Sequence, residues 1–474
     1  MKNIYIISAL LLFGTTSFAQ GLNMEKGDLV KTGKLVPTGK ILGYDGSSFF
    51  FRKVPNVLSF DNSQILAEAK SKSPSMFIPN KYHLIGDNLY VEEMEKIKKV
   101  WETSLTSIDK TTLVPIEDSR VVISKISRKD PTSFGNFGSA VSVSREYLAC
   151  VLRNVTQDKM KVKLYNEKLD EIFEEVFVLD KYATPFQYIE DAVVTNNGAM
   201  AFLIGIDDGH QTEKYLYTSN KNDHYFLVIA DQNEILYQEE VSVEDKDIFD
   251  VHLELLSDNE IALVAGYGKI SQDWKKENPK EGLLTMVYDV KKQDFTHDKL
   301  SSFSEDFLAY IFSEGSKRKK VPFDISGFHR TQEGDFVVVG HRASWEAKKD
   351  ANSGVLLSAR FTGHEIIVIT MNSKGELTNG TKIDREASFT SADLKPHFSF
   401  LTSDNMVNIV YNENDKGSFV TRVYVEDGEI EEKMILENEY YLAGSYRPIE
   451  KDEVIFVLNN SEVSGYRVSS MRLK

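Results

Sequence analysis

One hairpin pattern recurs along this chain and constrains its fold more than any other feature. AVVTNNGAMAFLIG (192–205), LELLSDNEIALVAG (253–266), GFHRTQEGDFVVVG (327–340) and FSFLTSDNMVNIVY (398–411) all follow it. Each is an alternating apolar run, a polar turn with Gly or Asn, and a second apolar run. A short-turned hairpin repeated at intervals points to a radial or stacked array of β units.

A second hairpin type follows the first. YFLVIADQNEILYQEEV (225–241), EIIVITMNSKGELTNGTKI (365–383) and TRVYVEDGEIEEKMILE (421–437) run as an apolar strand, a turn and a more polar strand. MKVKLYNEKLDEIFEEVFVL (160–179) is a further copy, and LYVEEMEKIKKVWETSL (89–105) aligns with the 421–437 segment. Each unit therefore holds four strands, with apolar content falling towards the outermost, which suits a propeller blade packed between neighbours. Turns recur at Gly46, near Ser144, and at Gly198, Asn259, Gly334, Asn405 and Asp452. They predict an all-β chain forming a single β-propeller of about seven four-stranded blades. Six or eight also fit, because 55–130 is irregular. Wide spacing between the turns, beyond the ~40–50 residues of compact repeats, gives each blade an insertion. Only Ile65 to Lys70 reads as helix. The last unit lacks a fourth strand, so Leu29 to Val36 is expected to pair with the C-terminal strand and close the ring.

Residues 1–19 read as a signal peptide: Lys2, the apolar run from Ile4 to Phe13, and Ser17-Phe18-Ala19 before Gln20. That run is too short to span a bilayer. Residues 20–474 are then the propeller domain of a periplasmic or secreted protein. The single cysteine, Cys150, forms no internal disulfide and lies in an apolar strand where a small buried residue is expected. With 72 acidic against 56 basic residues, the net charge of −16 disfavours nucleic acid and anionic lipid as partners. Lys317 to Lys320 reads as a solvated loop.

The chain resembles bacterial secreted β-propeller repeat proteins over essentially everything after the leader. The resemblance lies in pattern rather than signature: the Trp-Asp pair of WD repeats, the Gly-Gly pair of kelch repeats and the Ser-x-Asp-x-Gly box of sialidase-like propellers are missing.

Motifs for catalysis, metals and cofactors fail one by one, and the expectation for each is none. His364-Glu365 begins like a zinc-protease helix, but Val368 stands where the second His belongs and the segment reads as a strand. Gly33 to Ile41 is a mis-spaced phosphate loop interrupted by Pro37. Asn412 to Gly417 hints at a calcium loop, but Lys416 takes a ligand position and Val423 replaces the bidentate Glu. His329 and His341 flank one hairpin without facing each other.

Three readings remain, the blandest being a structural component of the envelope with no small ligand. The first is a non-catalytic binding or scaffold module of the periplasm or cell exterior, recognising a protein, peptide or glycan. The alternative is a secreted glycan hydrolase or lyase using carboxylates at the propeller channel. Three or more acidic or histidine side chains within hydrogen-bonding reach at the channel mouth would favour the alternative. For binding, the longest insertions lie between second and third strands: 206–224, 267–281, 341–364 and the shorter 412–418. In a propeller these emerge on one face. Trp274 and Trp345, with Tyr215, Tyr217 and Tyr267, supply large apolar contacts there and are the predicted binding residues.

Overall fold

The computed structural model describes residues 22–26, 29–31, 40–44, 48–53, 56–60, 65–70, 81–179, 186–207, 224–269, 280–311, 323–349, 356–385, 387–389, 398–403, 405–413, 417–437, 440–446, 453–460 and 465–473. The signal peptide predicted at 1–19 and the basic run at 317–320 lie outside them.

Among the described residues, antiparallel strands group into eight four-stranded units. They cover 40–70, 81–127, 130–178, 186–241, 246–302, 323–383, 398–437 and 440–473, and are numbered here as blades one to eight. The first strand of each blade contacts that of the next from blade one through blade six, and from blade seven to blade eight. Between blades six and seven, Gly327 abuts Phe400. The first strand of blade eight, Tyr440–Tyr446, contacts Lys40–Tyr44 of blade one, which closes the circle. This is a β-propeller.

Stability comes from between blades. A separate cluster of buried apolar residues fills each junction from blade one to blade eight: Phe50 packs with Leu84 and Leu89, Val151 with Phe202, Leu227 with Leu263, and Val338 with Val264. Further round, Val368 packs with Ile409, Val410 with Phe456, and Ile85 with Leu148. Because every interface is its own core, chain length meets none of the limit that a single core imposes at about 250–300 residues. The second strands are the most buried, as in Glu260–Lys269, where Ile261 to Gly268 are all buried. First strands are only half-buried, as in Lys246–Ser257, because one edge lines the channel.

Three expectations change in detail. The eighth unit, missing from the seven turns read in the sequence, is blade two, whose inner hairpin turns tightly at Gly86 (φ 53). Its fourth strand, Val121–Ser127, pairs with the start of Asp130–Val141, so blades two and three share one eight-stranded sheet and no linker marks the boundary. The 89–105 segment is accordingly the second-to-third hairpin of that blade, one strand earlier than its alignment implied. Ile65–Lys70 is a strand, not a helix; it pairs with Asn56–Phe60. Finally, closure uses two stretches. Leu22–Lys26 pairs along its whole length with the last strand, Leu22 opposite Leu473, and Val30–Lys31 pairs with Tyr466 and Gly465. N-terminal closure on the last blade holds; among the described residues most of the pairing is upstream of Leu29, and 32–36 of the expected Leu29 to Val36 segment lie outside them.

Candidate functional site in the channel

Strand direction alternates within a blade, so second-to-third turns and blade-to-blade links share one face, and first-to-second turns occupy the other. In blades four, five and six the insertions leave the sheet on that shared face, after the pairs Ile206 with His224, Gly268 with Lys280, and Lys349 with Leu356. Trp274, Tyr215 and Tyr217 lie outside the described residues. Trp345 is not in a loop: the strands Phe336–Lys349 and Leu356–Met371 continue as a projecting hairpin in which Trp345 stands opposite Phe361, itself opposite Phe389. Tyr267 is a correction. It is 4% exposed inside Glu260–Lys269, and its hydroxyl shares a 2.9 Å hydrogen bond with Ser302, so it packs the blade rather than offering a contact surface.

The inner strands carry a repeated device that the sequence reading missed. Their pairing with the second strand slips by a β-bulge between Ile41 and Gly43, Asn136 and Gly138, Ile325 and Gly327, and Leu442 and Gly444. A bulge turns the strand and re-aims its side chains, and the glycine after it leaves room for the next blade. At Gly138 an added Cβ would stand 2.5 Å from Ile189 Cγ1. In blades four and five the slip recurs between Ile189 and Asp191, and between Phe249 and His252. The glycine position there holds Asp191 and His252.

These two side chains meet across the blade junction. His252 Nδ1 lies 3.0 Å from Asp191 Oδ2, and its Nε2 lies 3.4 Å from Glu254 Oε2. Asp191 also accepts hydrogen bonds from the backbone N–H of Ala192 (2.9 Å) and Leu253 (2.8 Å). All three side chains are about a quarter exposed, at 26–28%. Burial alone would lower the His252 pKa, but the flanking Asp191 and Glu254 carboxylates outweigh it and raise the imidazole to about 9. It is therefore an imidazolium at neutral pH, with both N–H groups directed at carboxylates.

A cavity of about 450 Å³ opens beside Asp191, between the inner strands of blades two, three and four. Lys81, Phe137, Gln187, Tyr188 and Glu190 contribute to its wall. These residues sit at the starts and middles of their strands, so the cavity lies towards the face that carries the insertions. Phe137 and Glu190 are the bulged residues of their strands, and the Arg153 guanidinium stacks 4.4 Å from the Phe137 ring. Behind the cavity, Glu92 accepts from His83 (2.8 Å), Ser139 (2.9 Å) and Asn136 (2.7 Å), joining blades two and three. Burial opposes its ionisation, yet His83, Lys81 and Ser139 hold its carboxyl down to about 2. Ser139 and Glu92 both address the same nitrogen of His83, so this trio cannot act as a nucleophile–base–acid relay, which needs the two on opposite ring nitrogens.

The other sequence candidates are absorbed by structure. Burial pushes the Cys150 thiol up, away from the thiolate a nucleophile needs. Asn412 bonds the backbone of Leu442 and so ties blade seven to blade eight. His341 bonds Ser326. Among the described residues no group of three or more His, Cys, Asp or Glu has metal-binding geometry, and no helix is long and apolar enough to cross a membrane.

No family model and no curated protein matches this chain. Solved structures resemble it in shape. The propeller of Dos1 is 8% identical, with 95% of each chain covered and a TM-score of 0.46. An oligogalacturonate lyase in complex with manganese is 11% identical, with 96% of this chain and 98% of that one covered and a TM-score of 0.40. The propeller domain of the Trilobed protease from Pyrococcus furiosus, which has an open velcro topology, is 10% identical, covering 80% and 90%, with a TM-score of 0.35.

Proposed function

We propose that the chain is exported and serves as a non-catalytic binding propeller, taking a glycan or peptide at the channel mouth on the face of the long insertions. One observation carries this reading. The side chain best suited to acid–base work, His252, is held between the Asp191 and Glu254 carboxylates. A general base needs a free lone pair within reach of substrate, and His252 has both nitrogens facing carboxylates. The adjoining cavity instead presents an aromatic pair, an amide, a cation and a carboxylate, which is recognition chemistry at a volume typical of small-ligand sites. Trp274, Trp345, Tyr215 and Tyr217 belong to this proposal as an outer rim.

The alternative, a glycan hydrolase or lyase, is favoured by the same trio, since three titratable side chains do converge in the channel. A glycan array and a peptide library, probed with the 20–474 chain, separate the two. Binding without new reducing ends or unsaturated uronate, weakened at least tenfold by Tyr188→Ala at unchanged Tm, supports the binding reading. Product formation that Asp191→Asn abolishes would replace it with the enzyme.

A further inference from the structure

The far side of the trio differs from the mouth. A second cavity, about 330 Å³, lies where the inner strands run into their first-to-second turns, on the face opposite the insertions. Five blades, three to seven, contribute to it. Its wall is mostly aliphatic: Val141, Val143, Val193, Leu255 and Leu256 line it as half-buried residues, all but Val143 also packing against the blade-junction cores. Half-exposed aliphatic groups in a water-filled channel leave apolar surface wet, which burial against a ligand relieves. An engineered cavity of roughly 150 Å³ with such a lining already takes up benzene.

The polar part of the wall is Glu254, His329 and Thr402, of which Glu254 is the one carboxylate. Glu254 reaches the cavity, and among the described residues only its Oε2 takes a hydrogen bond, from His252. Counting Asp191, His252 as imidazolium and Glu254, the trio carries a net −1. Thr402 also contributes to the wall, with its hydroxyl oxygen itself buried. An apolar pocket with a carboxylate at one end and no lining lysine or arginine fits one ligand chemistry.

We propose that this cavity binds a small amphiphilic amine, with its ammonium group on Glu254 and an aryl or branched alkyl body among the valines and leucines. An ammonium donates up to three hydrogen bonds, and the Glu254 carboxylate accepts. A carboxylate-headed ligand of the same shape would meet Glu254 at like charge. The site stands apart from the recognition surface at the other mouth, and either can exist without the other.

The test uses 2-phenylethylamine, 2-phenylethanol and 3-phenylpropanoate as probes on the 20–474 chain, followed by calorimetry and methyl NMR. The amine is expected to bind, shifting the methyls of Val141, Val193 and Leu255, with the alcohol at least tenfold weaker and the acid unbound. Glu254→Gln keeps an acceptor for His252 and should weaken the amine at least tenfold while leaving the alcohol unchanged. Val143→Trp, at the rim rather than in a blade core, should block the amine and the alcohol at unchanged Tm. Equal binding of amine and acid, no binding of the amine, or full affinity in Val143→Trp would overturn the proposal.

Discussion

Asp191 and His252 interrupt a residue-level rule of this ring: a bulge, then a glycine. Neither is visible as a pair in the sequence, because their contact depends on two adjacent inner strands slipping by a bulge at the same height. The signal was present in part, since Gly43, Gly138, Gly327 and Gly444 sit at matching places in the hairpins, and a charged residue at such a place marks an exception. The pair has a consequence for stability. His252 titrates near 6.5 unfolded and at about 9 folded. Below pH 6.5 both states hold the proton and the brace contributes fully; as pH rises through about 9 the contribution is lost. The contribution is at most about 3 kcal/mol, and less after screening at a partly exposed site. Urea unfolding across that window should show wild-type stability falling relative to His252→Gln, whose own curve lacks this component. Parallel curves for the two proteins would mean that the imidazole is not held between the carboxylates.

Elements were legible where burial imposed period-two patterns. The hairpins at 192–205, 253–266, 327–340 and 398–411 fall on observed first and second strands, since one residue of slip would turn each apolar set out of its interface. Blade two was hidden because its first strand is short, five residues in Lys81–Ile85, and because its last strand runs into blade three without a linker. Ile65–Lys70 misled for another reason: Ala and Glu favour helix locally, but six residues cannot outweigh a full ladder to Asn56–Phe60. The closing strand follows from edge physics, since without it Gly465–Leu473 would present an unpaired edge. Deleting Gly21 to Lys31 removes seven ladder positions from that strand. Differential scanning calorimetry should show Tm falling by several degrees, together with concentration-dependent association through the bare edge. A deletion variant that melts with the parent and stays monomeric would show that closure resides elsewhere.

At the scale of the whole molecule, architecture was readable and function was not, because repeats announce themselves in sequence whereas a channel is built from residues that sequence keeps apart. Asp191 belongs to blade four and Glu254 to blade five, and the cavity beyond them draws on five blades. The same ring geometry makes a prediction about connectivity. Leu22 and Leu473 are directly opposed in an antiparallel pair, so their Cα atoms are about 4.5–5.5 Å apart. A linker of a few Gly and Ser residues therefore joins Lys474 to Gly21 without strain. New termini between Asn352 and Ser353 would open the hairpin linking Phe336–Lys349 to Leu356–Met371, and blade six would then be zipped from both ends of the chain, as blade eight is in the natural order. Because each blade junction has its own core, moving the break leaves all of them intact. The permuted chain should give the parent's β-rich circular dichroism and a Tm within a few degrees of it. Joining the ends while keeping the original order elsewhere is the decisive comparison: if the permutant aggregates but the parent does not, blade eight has a closing role that blade six cannot assume, and the ring is not the set of interchangeable junctions described here.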